Sequence, residues 1–235
     1  MAGLAESGSN ADVDLLYDIN GLADGAPRWF DRAMAFVGEY GLLIALVLLV
    51  AGCWWSVRRR GGEDAVTSVA ALLWAPLAAA LAVVVNVPIR DFVARPRPFV
   101  DHEGLDVLVG GKAGYSFVSD HAALAMALGV GLFVADRRFG LAGIALALFE
   151  GFCRVYMGVH YPTDVVGGLA LGTAVALLLA PVAMAALTPV VGAVGRSAYG
   201  AWFVGGCEPG AGERAVVPSA RGAGAAPEGE KDLAA

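Results

Sequence analysis

Three short stretches of this chain concentrate residue types suited to acid–base, nucleophilic and anion-binding chemistry. The densest is Cys153-Arg154-Val155-Tyr156-Met157-Gly158-Val159-His160-Tyr161-Pro162-Thr163-Asp164, lying between two long apolar runs. An arginine, a histidine and an aspartate at the edge of apolar segments are costly to keep and point to function. His160 and Asp164 are four residues apart, with Pro162 between them. Proline favours a helix start, which places Asp164 in the first turn and lets it reach back to one imidazole nitrogen. That contact would fix the tautomer and leave the other nitrogen as a base or nucleophile. The second stretch, Ser116-Phe117-Val118-Ser119-Asp120-His121, immediately precedes an apolar run. A helix starting near Asp120 would aim its unpaired N–H groups and dipole at the same place, a ready anion site. The third stretch, Arg90-Asp91-Phe92-Val93-Ala94-Arg95-Pro96-Arg97-Pro98, adds guanidinium groups. These are planar forks that match phosphate oxygens in pairs and stay charged at any working pH.

The elements that must position these groups are membrane spans. Of the 235 residues, 58% are hydrophobic and 16% charged, and the mean hydropathy is +0.67. Soluble domains are less apolar and more charged. Five apolar runs are expected to be helices: Gly41 to Val57, Val66 to Val87, His121 to Ala135, Phe139 to Phe152 and Val165 to Leu187. The reading is an all-α integral membrane protein, a bundle of about five transmembrane helices. A short amphipathic helix at Asp12 to Ala26 is expected to lie on the membrane surface. Residues 1–11 and 188–235 read as disordered ends flanking one membrane domain at 12–187. Arg58-Arg59-Arg60 and Asp136-Arg137-Arg138 flank short loops, which places both on the cytoplasmic side. Alternation then puts 88–120 and 153–164 together on the outer face of the cell membrane. Arginines kept there against the positive-inside bias suggest an anionic ligand.

Other classes fall away. No basic stretch suits nucleic acid. Three cysteines, Cys53, Cys153 and Cys207, in apolar surroundings do not make a disulfide framework. No carboxylate cluster has the character of a magnesium site, and no cofactor motif is present.

Taken in order, the three stretches resemble the signature motifs of the type 2 phosphatidic acid phosphatase (PAP2) superfamily. That pattern is Lys-x6-Arg-Pro, then Pro-Ser-Gly-His, then Ser-Arg-x5-His-x3-Asp. Here it reads Arg90-x6-Arg97-Pro98, Val118-Ser119-Asp120-His121 and Cys153-Arg154-x5-His160-x3-Asp164. The aspartate in the second motif is similar to one branch, the bacitracin-resistance type of undecaprenyl-diphosphate phosphatase. Arg-Pro-Arg-Pro-Phe in the first, Val-His-Tyr-Pro-Thr-Asp-Val in the third and the early Ile19-Asn20-Gly21-Leu22-Ala23 also resemble that branch. The resemblance spans about Leu15 to Leu187.

It implies a PAP2/haloperoxidase-like core and a metal-independent lipid phosphatase. His160 would attack phosphorus and form a phosphohistidine, Asp164 would orient it, and His121 would protonate the leaving oxygen and then activate water. Arg90, Arg97, Arg154 and Ser119, with main-chain N–H groups near Asp120 and His121, would hold the phosphoryl oxygens. The carboxylate of Asp120 would repel a phosphate, so it is expected to pair with an arginine or cap the helix. Four motif positions depart from the superfamily pattern: Arg90 for lysine, Val118 for proline, Asp120 for glycine and Cys153 for serine. The implied substrate is undecaprenyl diphosphate, with phosphatidic acid, phosphatidylglycerophosphate and other prenyl diphosphates as rivals. A non-catalytic lipid or anion transporter would need the arginines but not His160, Asp164 and His121 in register. Vanadate-dependent peroxidase chemistry shares the anion-site motifs but fits a short, span-rich chain poorly. The sequence leaves the oligomeric state open.

Overall fold

The computed structural model describes residues 10–61, 64–111 and 113–204. The chain begins with α1 (Ala11–Asn20), capped by the Asn10 side chain on the N–H of Asp12. It continues through α2 (Arg28–Phe36), a single π turn (Val37–Gly41) and α3 (Leu42–Arg60). Pro27 stands at the N-cap position of α2 in extended conformation, with no side-chain cap. Then come α4 (Ala65–Val93), the one-turn α5 (Pro98–Asp101), α6 (Asp120–Ala135), α7 (Arg137–Tyr156), α8 (Pro162–Leu178), α9 (Ala180–Gly195) and α10 (Ala198–Val204).

The bundle is organised around α6, which packs on α4, α7 and α8. Six of its ten buried residues are small: Ala122, Ala123, Ala125, Ala127, Gly129 and Gly131. Lipid tails supply no hydrophobic drive between helices, so close backbone approach and dispersion must hold the bundle. Gly129 meets the backbone of Gly143 on α7, where an added Cβ would lie 2.8 Å from the Gly143 carbonyl carbon. At Gly172 on α8 an added Cβ would lie 2.3 Å from the Ala123 carbonyl oxygen. These contacts fix the heights at which α6, α7 and α8 end, and therefore the relative positions of the motifs at their tips.

Each expected apolar run is helical, with three differences. The first run is the end of a longer rod: Arg28–Arg60 is long and apolar enough to cross a membrane, as are Ala65–Asp101 and Arg137–Tyr156. The fifth is broken at Leu179, and α8 and α9 meet at 51°. Pro181 sits in the first turn of α9, where it starts a new helix in place of continuing the old one. Helix also continues past residue 188, through α9 and α10 to Val204, where an unstructured tail was expected. Val191, Gly195 and Val204 are buried, and Val191 and Val204 join the main apolar core, which explains why this segment is ordered. The expected disorder of 1–9 and 205–235, and Cys207, lie outside the described residues. Helix α1 is shorter than the sequence implied and is docked on α7 and α8, with Leu16 fully buried.

The two arginine clusters expected on one side do share one end. Arg60 of α3 pairs with Asp136, between α6 and α7, at 2.8 Å. The three motif stretches gather at the opposite end.

Candidate active site

His160 follows a left-handed glycine, Gly158 (φ +69°), that turns the chain between α7 and α8. The ring is 4% exposed. Its Nδ1 lies 2.9 Å from the main-chain oxygen of Ser116. A carbonyl only accepts, so Nδ1 carries the hydrogen and Nε2 keeps its lone pair. Nε2 lies 3.4 Å from a terminal nitrogen of Arg97. Burial pushes His160 below the ordinary imidazole range; the neighbouring Asp164 opposes that shift, while Arg154 and Arg97 add to it. Burial therefore favours the neutral imidazole, with the Nε2 lone pair turned toward Arg97.

Asp164 was expected to set this tautomer. The structure gives the closer contact to the Ser116 carbonyl and holds Asp164 Oδ2 3.7 Å from Nδ1. Asp164 Oδ2 instead accepts from the Tyr161 N–H at 2.9 Å, closing the first turn of α8. Its Oδ1 takes a terminal nitrogen of Arg95 at 3.0 Å. The carboxylate is fully buried, so these donors offset its desolvation.

Arg97 and Arg154 are 8% and 1% exposed. Arg97 donates to the Val159 carbonyl at 3.1 Å. Arg154 donates to the Gly38 carbonyl at the π turn and to Glu39, both at 3.1 Å, with Glu150 at 3.8 Å. The Nε of each arginine is buried without a hydrogen-bond partner among the described residues. A buried donor left so costs about 1–3 kcal/mol.

Asp120 meets the expectation that it pairs with an arginine: it forms an ion pair with Arg90. Its other oxygen takes Asn86 Nδ2 at 2.6 Å, and the same Nδ2 donates to the Val118 carbonyl at 2.9 Å. The Asp120 carboxylate is thus engaged by Arg90 and Asn86. Ser119 is the N-cap of α6, its hydroxyl 3.5 Å from the Ala122 N–H. The Ser119 N–H donates to the Asp164 carbonyl at 3.0 Å, which ties the second stretch to the third. His121 is the second residue of α6 and half-buried at the same end. Arg97 lies within electrostatic reach of Arg154, Arg90, Asp120 and Asp164, so the three stretches form one constellation.

Sequence reasoning missed three contributors. Asn86 falls within the second expected run, with no role read for it; it is fully buried and holds both the Val118 loop and Asp120. The Ser116 carbonyl carries no side-chain signal at all. Asp12 bonds the N–H and hydroxyl of Thr163, 151 residues away. Among the described residues no group of three or more His, Cys, Asp or Glu side chains is arranged to hold a metal ion.

A helical bundle with apolar spans, and a histidine framed by buried guanidiniums at one end, define a multi-pass membrane protein with a candidate anion-binding site. Residues 71–187 match the PAP2 superfamily model. The undecaprenyl-diphosphatase BcrC of Bacillus subtilis (strain 168) is 30% identical over 148 residues, 63% of this chain and 72% of that protein. The chain belongs to the PAP2 superfamily and is a membrane-embedded phosphatase of that type. It is also 28% identical over 172 residues to a Bacillus licheniformis protein named bacitracin transport permease protein BcrC, covering 73% of this chain and 80% of the other. Its fold is shared with the crystal structure of a transmembrane PAP2 type phosphatidylglycerolphosphate phosphatase from Bacillus subtilis. That match has a TM-score of 0.51 and 22% identity, over 74% of this chain and 87% of the other.

Proposed function

We propose that this protein hydrolyses the terminal phosphate of a polyprenyl diphosphate, undecaprenyl diphosphate above all, through a phosphohistidine and without a metal ion. The observation that carries the reading is His160 Nε2 lying 3.4 Å from Arg97, which with Arg154 is a buried guanidinium whose Nε has no hydrogen-bond partner among the described residues. A phosphoryl group entering there brings oxygen acceptors to both arginines and phosphorus to the one nucleophile that faces them.

In the first step Nε2 of His160 attacks phosphorus, and the bond to the leaving lipid phosphate oxygen breaks. The Ser116 carbonyl on Nδ1–H, with Asp164 behind it, steadies the positive charge that develops on the ring. His121 gives its proton to the leaving oxygen. In the second step His121 takes a proton from water, the water oxygen attacks phosphorus, and the N–P bond breaks to release phosphate and free His160. Arg97, Arg154 and the Asp120-paired Arg90 offset charge on the equatorial oxygens. Main-chain N–H groups at the start of α6 add to this, with Ser119 fixing that start by its cap. The site would face the outer leaflet, the side opposite the Arg58–Arg60 and Arg137–Arg138 cluster. Its product would be the lipid monophosphate, which a cell-wall carrier cycle reuses.

Purified protein in detergent with EDTA should release phosphate from undecaprenyl diphosphate faster than from farnesyl diphosphate or phosphatidic acid. Acid-labile labelling of His160 should appear on rapid quench. Release confined to phosphatidic acid would keep the mechanism and remove the carrier-lipid assignment; loss of all release on adding EDTA would remove metal independence. The permease name borne by one relative supports a second reading, in which the arginines bind an anionic lipid for transport. Under that reading His160→Ala leaves function intact.

A further inference from the structure

Arg95 lies two residues before Arg97, yet it is committed elsewhere. One terminal nitrogen donates to Asp164 Oδ1 at 3.0 Å and to the Thr163 hydroxyl at 2.7 Å. The other donates to Asp12 Oδ2 at 2.7 Å. Its guanidinium carbon sits 3.6 Å from the centre of the Tyr161 ring, and His102 meets that ring edge-on at 5.8 Å. A fork bound on both nitrogens and stacked on an aromatic face is a fixed part of the scaffold.

Asp12 completes the arrangement from the N-terminal helix. Its Oδ1 accepts the Thr163 N–H at 2.9 Å and its Oδ2 accepts the Thr163 hydroxyl at 2.6 Å. Thr163 is the second residue of α8, after Pro162, which has no N–H to satisfy. Asp12 thus caps α8 from another helix, placing negative charge at its positive end. Helix α1 is held in turn by Asn20, whose side chain bonds the carbonyls of Tyr156 and Asp106 and the N–H of Asp106. Tyr17 donates to the Glu103 carbonyl at 2.7 Å.

We propose that Arg95 and Asp12 form a positioning clamp that sets the Asp164 carboxylate against His160, making α1 part of the phosphatase site and not only a surface anchor. Asp164 divides its oxygens: Oδ2 faces the Tyr161 N–H and His160, and Oδ1 faces Arg95. With Arg95 gone, Oδ1 loses its charged donor and the carboxylate turns about its own axis. The charged groups bearing on the ring are Asp164, Arg154 and Arg97; a less neutralised Asp164 draws a proton onto His160. The inference rests on the phosphatase reading for its kinetic arm only.

The test uses the full chain with Arg95→Ala, Arg95→Lys, Asp12→Ala and the Arg95→Ala/Asp12→Ala double variant. Phosphate release from a prenyl diphosphate is measured with melting temperature alongside. A displacement near 1 Å in a positioning group lowers kcat about 10- to 100-fold, so Arg95→Ala should fall in that range. KM should stay within about twofold, since no substrate contact is removed. Arg95→Lys should recover part of the loss, and the two alanine substitutions should be less than additive. An unchanged kcat in Arg95→Ala overturns the clamp. So does a rise in KM alone, which would make Arg95 a phosphate ligand, or a fall in melting temperature with kcat of the folded fraction intact. An arm independent of turnover follows the 13C-labelled histidine signals, assigned with His160→Ala. His160 should titrate at higher pH in Arg95→Ala, and an unmoved titration overturns the clamp. If wild type releases phosphate from no lipid, the phosphatase reading falls while this titration still decides the clamp.

Discussion

Both ends of this bundle are rich in arginine, and they use it in opposite ways. At the motif end Arg97 and Arg154 are buried beside His160 and held by carbonyls and carboxylates. At the other end Arg59, Arg60, Arg137 and Arg138 are exposed. Arg58 lies over the ring of Trp202 at 4.2 Å and donates to the Trp202 carbonyl. Arg60 pairs with Asp136 at the surface. Surface pairs contribute about 0–1 kcal/mol, whereas a buried guanidinium carries a desolvation cost that a second charged ligand can relieve. The same residue type therefore marks a site at one end and an interfacial anchor at the other. Burial and unfilled donors separate the two, not the count of charges.

The contrast is sharpest at His160. His160→Ala should reduce phosphate release by about 10³-fold or more, because the proposed nucleophile is removed and only binding remains. Near-wild-type turnover would erase the distinction between the ends. Arg154→Ala comes next, with kcat lowered about 10²- to 10³-fold, as for removing one charge-stabilising donor. Arg154→Lys should not restore it, since a point charge cannot span the Gly38 carbonyl, Glu39 and a phosphoryl oxygen together. Asn86→Ala should act on stability: the buried Val118 carbonyl and the half-buried Asp120 lose a donor, at about 1–3 kcal/mol, read as a lower melting temperature. The pH profile is a quieter probe. Burial lowers the His160 pKa from its ordinary 6.5, so the ring stays neutral to lower pH. The acid limb of kcat/KM assigned to His160 should therefore lie below pH 6.5, and a limb above that value would contradict the buried, neutral ring. Arg58→Ala should change the least, with activity within about twofold and a small loss of stability from the lost ring contacts. A large loss of turnover there would mean that the two ends are coupled.

The three motif stretches were legible in the sequence because ionisable residues are rare in an apolar chain and their spacing is local. Helix starts at Asp120 and Pro162 were legible for the same reason: a cap and a proline act within one turn. What escaped was long-range or carried by the backbone. Arg95 and Asp12 meet across 83 residues, and nothing in either neighbourhood announces the other. The Ser116 carbonyl displaced Asp164 from the nearest contact with the ring, and a carbonyl has no residue type to read. The break at Leu179 was hidden because Pro181 stands in a run whose hydropathy never falls. The helices beyond residue 188 were missed because alanine, glycine and proline composition describes a linker as well as a packed helix. Their order comes from apolar contacts with the core.

Helix α6 has 16 residues and at about 1.5 Å each reaches about 24 Å. A bilayer's hydrocarbon layer is about 30 Å thick. The helix that carries Ser119, Asp120 and His121 at its tip is therefore too short for its surroundings. Longer neighbours hold it in place through glycine and alanine contacts. Enclosed by α4, α7 and α8, that tip would lie below the headgroup plane, while the longer outer helices meet the lipid. A lipid substrate in the adjoining leaflet would then reach the candidate site by sliding sideways, with no need to rise into water.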